Sequence, residues 1–109
     1  GYGLVYQKRG DIFIGRCGLN KLAFEENAKI VELGVLLLPK FWGQGFGTEL
    51  YVGIIDHALN KLKLKEVYAT IDPANIYSKL VAEKVGMQFQ EYITYLDKNT
   101  MLYKATLCL

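Results

Sequence analysis

Residues 28–50 read AKIVELGVLLLPKFWGQGFGTEL, and this stretch decides the fold. Its first part, residues 28–38, is the most apolar run of the chain and reads as a central strand. Gly34 stands in the middle of that run. Glycine inside a strand weakens it and marks a bulge or a close approach by another backbone or a ligand. Pro39 ends the strand, and Gly43, Gly45 and Gly47 then fall on alternate positions. A helix is predicted over residues 47–62, because Leu50, Ile54, Ala58 and Leu62 repeat every four residues with Tyr51, Ile55 and Leu59 beside them. Lys61, Lys63 and Lys65 suit the negative end of that helix.

Outward from this centre the pattern alternates. Residues 2–8 and 11–19 are rich in aromatic and β-branched side chains, and with the turn Arg9-Gly10-Asp11 they predict a hairpin. Residues 20–27 are polar and read as a connection. On the other side, residues 66–71 predict a short strand stopped by Asp72-Pro73. Residues 74–85 predict a second helix with Tyr77, Leu80, Val81 and Val85 inward and Gly86 closing it. Residues 87–96 predict a strand, 97–100 a turn and 101–107 the last strand. The order β-β-β-α-β-α-β-β gives an α+β fold, a mixed and mostly antiparallel sheet with two helices, in one domain over residues 1–109.

Three features carry chemistry. The first is the glycine-rich bend before a helix. Unpaired amides and the helix dipole favour an anion there, and glycines let a phosphate approach. The glycines alone also fit a tight strand-to-helix turn. A Walker loop would need Lys and Ser/Thr after its last glycine, and Gly47 is followed by Thr48 and Glu49. A dinucleotide fingerprint would need glycine where Thr48 stands. The second feature is Asn75 with Ser78 one turn later; an N-cap and an exposed helix serine are the plain alternatives. The third is Glu32, a carboxylate in an apolar run, which is either costly to bury or part of a solvated strand face.

Together the segments Glu32-Leu33-Gly34-Val35, Pro39 to Glu49, and Asn75-x-x-Ser78 with Ala82-Glu83-Lys84-Val85-Gly86-Met87 resemble the GNAT superfamily of acetyl-CoA-dependent N-acetyltransferases, in particular its RimJ/RimL-like branch. The resemblance covers roughly residues 31–89. It implies that the strand around Val35, Leu36 and Leu37 bonds the pantetheine arm of acetyl-CoA through its backbone. It implies that Trp42, Gly43, Gln44, Gly45, Phe46, Gly47 and Thr48 hold the pyrophosphate, and that Asn75 contacts the cofactor arm. The tyrosine that many members use as general acid is replaced here by Ala82. In the resembling branch the residue matching Ser78 serves as acid and the residue matching Glu32 as base. The family's first strand and two helices, which wall the acceptor pocket, have no counterpart ahead of the hairpin. The resemblance therefore implies a partial acyl-CoA N-acyltransferase fold with exposed apolar surface, and hence a homo-oligomer.

The expected activity is acetyl transfer from acetyl-CoA to a primary amine, with a protein N-terminus or a small amine as acceptor. The alternative is a catalytically silent acyl-CoA-binding or interaction domain of the same fold. An amine attacks only when neutral, and amine pKa values run from about 8 at an N-terminus to about 10.4 for lysine, so a base is needed.

Composition narrows the partners. The 109 residues are 51% hydrophobic, which excludes disorder. With 13 Lys+Arg against 11 Asp+Glu the charge is nearly balanced, so no nucleic-acid partner is expected. No apolar run reaches the roughly 20 residues of a membrane-spanning helix, and no membrane partner is expected. Cys17 and Cys108 match no metal-ligand spacing, so no metal site is expected; they read as one disulfide or, more plainly, as two free thiols of a cytoplasmic protein. His57 beside Asp56 reads as a helix-surface residue.

Overall fold

A computed structural model describes residues 2–7, 12–25 and 28–106. Strands β1 (Tyr2–Gln7), β2 (Ile12–Glu25) and β3 (Ala28–Leu37) lead through a 3-10 turn, Pro39–Phe41, to helix α1 (Phe46–Asp56). Strand β4 (Glu66–Ile71), helix α2 (Ile76–Lys84) and strands β5 (Gln88–Tyr95) and β6 (Lys98–Thr106) follow. The sheet has six strands in the order β1-β2-β3-β4-β6-β5. Every neighbouring pair is antiparallel except β3 and β4. That parallel pair needs a crossover, and α1 supplies it.

The core lies between one face of the sheet and the two helices. On β4, Val67, Ala69 and Ile71 are buried, while Glu66, Tyr68 and Thr70 alternate onto the other face. Leu33 from β3, Tyr51 from α1, Val81 and Ala82 from α2, and Met101 and Tyr103 from β6 complete this layer. A smaller cluster of Ile14, Leu37 and Phe41, with Phe46 and Leu50 against it, anchors the glycine-rich bend at both ends. The Phe41 and Phe46 rings meet edge to face, 5.9 Å apart.

The predicted element order is the observed one, with four local differences. Strand β2 does not stop at Leu19; it runs to Glu25, pairing Asn20 with Glu32 and Lys21 with Val31. Pairing with the apolar β3 carries these polar residues into the sheet, against their weak strand preference. Helix α1 ends at Asp56 and passes into a wider π turn, His57–Lys61, closed by the Leu62 amide on the His57 carbonyl. The inward stripe of α2 is Tyr77, Val81, Ala82 and Val85, and Leu80 is exposed. The last turn is Leu96-Asp97, both at positive φ, as a two-residue hairpin matched to strand twist requires, so β6 begins at Lys98. Gly86 closes α2 at φ 93°, as expected. The expected turn at residues 9–11, Cys108 and the end of the last strand lie outside the described residues.

Candidate active site

The sheet is forked. Strand β3 pairs with β2 along its whole length, and β4 pairs with β6 from Glu66 to Ile71. Among the described residues β3 and β4 meet only at Glu32 and Tyr68. Beyond that point the edge of β3 from Leu33 to Leu36 faces a gap, so the main-chain groups on that edge are available to something else.

The glycine-rich bend sits beside the open end of the fork. Turn hydrogen bonds hold its entrance: the Phe41 amide donates to the Leu38 carbonyl at 2.9 Å and the Trp42 amide to the Pro39 carbonyl at 3.1 Å. Its exit is the first helical bond, from the Glu49 amide to the Gly45 carbonyl at 3.0 Å. Between them, the amides from Gly43 to Thr48 find no acceptor among the described residues. Gly43 and Gly45 have φ of 73° and 88°, and a Cβ on either would meet nothing within 4 Å. These glycines are required by backbone conformation, not by crowding. The bend therefore offers unpaired donors at a helix start, which is the chemistry of an anion site.

Trp42 is pinned twice. Its Nε1 donates to the Leu37 carbonyl at 3.0 Å, and its ring stacks on Tyr77 at 6.4 Å and 15°. A Cβ at Gly47 would lie 2.9 Å from the Tyr77 hydroxyl, so the helix start packs directly on that tyrosine. Gln44 bonds the Lys40 carbonyl through its side chain, across the bend.

Two cavities meet at the fork. One, of about 90 Å³, runs between Leu36, Leu37 and Trp42 on one side and Asn75, Tyr77 and Val81 on the other. The second, of about 390 Å³, holds Glu32, Gly34, Thr70, Asp72 and Tyr95. Val35, Leu36, Tyr51, Asn75 and Ser78 line both. The geometry thus brings together Glu32, Ser78, Asn75 and the strand residues singled out in the sequence, with Trp42 and Gly47 from the bend. The side chains of Gln44 and Thr48 line neither cavity, and any part they play is through their amides.

Asn75 caps α2: its Oδ1 accepts from the Ser78 amide at 3.1 Å. The capping reading holds, and the same residue faces both cavities; its Nδ2 remains available to donate. Asp72 fixes the turn ahead of it, accepting from the Ala74 amide at 2.9 Å. Ser78 is half-buried, not an exposed helix serine.

Glu32 is half-buried and its carboxylate accepts a hydrogen bond from the Thr70 hydroxyl. Burial pushes its carboxyl above the ordinary range, and hydrogen bonds from the Thr70 hydroxyl and main chain pull it partly back. Tyr51 is 7% exposed, and burial, reinforced by Glu32 and Tyr77, pushes its phenol up to about 12. Thr70, Tyr51 and Tyr77 were not legible as site residues. Thr70 could have been found from period-two alternation on β4, which sets it on the face away from Val67; the two tyrosines look like core in any helical pattern.

The sequence profile described as the acetyltransferase (GNAT) domain matches residues 1–88. The chain is 32% identical over 108 residues to the uncharacterized protein YkkB of Bacillus subtilis, covering 95% of this chain and 62% of YkkB. In structure it is similar to an acetyltransferase from Agrobacterium tumefaciens, with a TM-score of 0.83 and 26% identity over 98% of this chain and 61% of that one. A GNAT-family acetyltransferase from Bacillus anthracis matches with a TM-score of 0.83 and 22% identity, over 96% of this chain and 65% of that one. The chain thus spans less than two thirds of the length of each.

Proposed function

The chain belongs to the GNAT acetyltransferase family, and we propose that it transfers the acetyl group of acetyl-CoA to a primary amine within a ternary complex. The observation that carries this reading is the fork between β3 and β4 opening beside unpaired amides at the start of α1. The two features supply what a diphosphate with an extended thiol-bearing arm requires: donors for the anion and a free strand edge for the arm.

In this reading the diphosphate of acetyl-CoA lies on the amides of Gly43 to Thr48, and the arm runs past Val35, Leu36 and Leu37 with Asn75 opposite. The acceptor amine enters the cavity of Glu32. Glu32, directly or through a water, takes the proton as the N–C bond forms. Main-chain amides of β3 stabilise the charge developing on the carbonyl oxygen. The C–S bond then breaks, and the Ser78 hydroxyl donates to the departing sulfur. Holding both substrates at the junction supplies much of the rate. Membership of the RimJ/RimL-like branch is part of the proposal, supported by Trp42, Asn75 and Ser78 in one cleft and by the absence of a tyrosine at position 82. Cytoplasmic residence and self-association belong to it as well; exposed Leu36 and Leu38 supply apolar surface for the latter, and light scattering tests it.

The decisive experiment is a calorimetric titration with acetyl-CoA, followed by amine addition and assay of free thiol. Saturable binding with amine-dependent thiol release is expected. Binding without release would leave an acyl-CoA-binding domain, and no binding would remove the reading altogether.

A further inference from the structure

Tyr51 is the one side chain of the shared cavity wall whose chemistry is unspent. It lies on α1 beneath the fork and is 7% exposed. Tyr103, the other tyrosine buried in this layer, shows what a buried phenol ordinarily does: it donates to Glu83 at 3.3 Å. The Tyr51 hydroxyl has no hydrogen-bond partner among the described residues. Among those residues no side-chain polar atom is sealed from solvent without a partner. The Tyr51 oxygen therefore reaches open space, and the space it borders is the pair of cavities that meet at the fork.

A hydroxyl removed from bulk water without a fixed partner is a cost that phenylalanine would avoid. The partner is then supplied by what fills the cavities. Amine and thioester can meet only where the cavities join, so the group presented to Tyr51 there is the acyl carbonyl. Resting on the acetyl-transfer reading above, we infer that the Tyr51 hydroxyl donates a hydrogen bond to the carbonyl oxygen of the acyl group being transferred. It acts beside the β3 amides as a second donor for the charge that develops on that oxygen. Tyr51 keeps its own proton throughout: the amine proton goes to Glu32, the N–C bond forms and the C–S bond breaks. A phenol held high by burial suits a donor that must not ionise.

The test is Tyr51→Phe, which removes one oxygen and keeps the ring. In ligand-free protein the variant is expected to melt at the same temperature as wild type or higher. With bound acetyl-CoA labelled with carbon-13 at the carbonyl, isotope-edited infrared spectroscopy is expected to show a red-shifted stretch in wild type and a smaller shift in the variant. Turnover should fall about 100-fold, while the Kd for unacylated CoA stays within twofold. An unchanged carbonyl stretch, or a variant less stable than wild type because the hydroxyl serves the protein itself, overturns the role. Wild type that binds no acetyl-CoA overturns the acetyl-transfer reading and this role with it. Wild type that binds while the variant shows the same stretch overturns this role alone.

Discussion

Glu32 and Thr70 face each other across the fork of the sheet, joined by a hydrogen bond from the Thr70 hydroxyl to the Glu32 carboxylate. Among the described residues Glu32 is also the one β3 residue aligned with β4, opposite Tyr68. The carboxylate therefore marks the point where the strands part, with the cavity opening beyond it. Its position is set by the sheet and not by a flexible loop, which is the fixed placement that the proposed base requires.

The Glu32 carboxyl titrates above its ordinary range, so a pH dependence follows with a definite sign. As a base it works ionised, and kcat/KM is expected to fall as pH drops through its raised pKa. Thr70→Val removes the hydroxyl bond, one of the two Thr70 hydrogen bonds that pull this pKa down, and should move the acidic limb to higher pH. Glu32→Gln should lower turnover by about 100-fold. Stability runs the other way. A carboxyl whose folded pKa is raised favours the fold while protonated, below its unfolded pKa, and loses that contribution as pH rises through the folded pKa. At neutral pH Glu32→Gln should therefore melt no lower than wild type. Rate against pH and thermal melts of the three proteins check both halves.

How much of this was legible follows from the kind of signal each residue gives. The apolar run, the alternating glycines and the four-residue repeat of α1 report local geometry, and they placed β3, the bend and the start of the helix within a residue of where the structure has them. The reach of β2 to Glu25 depends on a partner strand, and nothing in its polar residues announces that partner. Leu96-Asp97 as the turn was missed because neither residue is a glycine or asparagine, the usual markers of positive φ. Within the site, Glu32 stood out because a carboxylate is rare in an apolar strand. Tyr51 did not, because a buried phenol and a buried core ring have the same sequence pattern.

Trp42 holds the bend through Nε1 and through its stack on Tyr77 while remaining 55% exposed. Trp42→Ala removes both of these intramolecular contacts, so it is expected to lower stability by about 1–2 kcal/mol and, by loosening the bend, to weaken acetyl-CoA binding. Trp42→Phe keeps a ring and loses the donor, so an intermediate affinity is expected. Calorimetric titration of both variants measures it.

Gly45 and Gly47 answer different constraints. Gly45→Ala places a side chain in open space but at φ 88°, and should lower stability by about 1 kcal/mol through backbone strain alone. Gly47→Ala meets the Tyr77 hydroxyl at 2.9 Å and must displace that ring, which borders the smaller cavity. Denaturant titration should register the first. The second should appear as a loss of acetyl-CoA affinity that Tyr77→Phe, by removing the crowded oxygen, partly restores.

Asn75 serves the fold and the cleft through different atoms. Its Oδ1 caps α2 by accepting from the Ser78 amide, and its Nδ2 is the atom left to face a ligand in the cavities. Asn75→Ala removes both and should cost about 1 kcal/mol of stability as well as affinity. Asn75→Asp keeps the capping oxygen, adds favourable charge at the helix start and removes the amide donor. Its stability should equal or exceed that of wild type while acetyl-CoA affinity falls, because a carboxylate cannot donate to a carbonyl of the arm. If Asn75→Asp binds as tightly as wild type, the residue is a cap and nothing more; if both variants bind weakly but only alanine melts early, the two duties are separate and both are real.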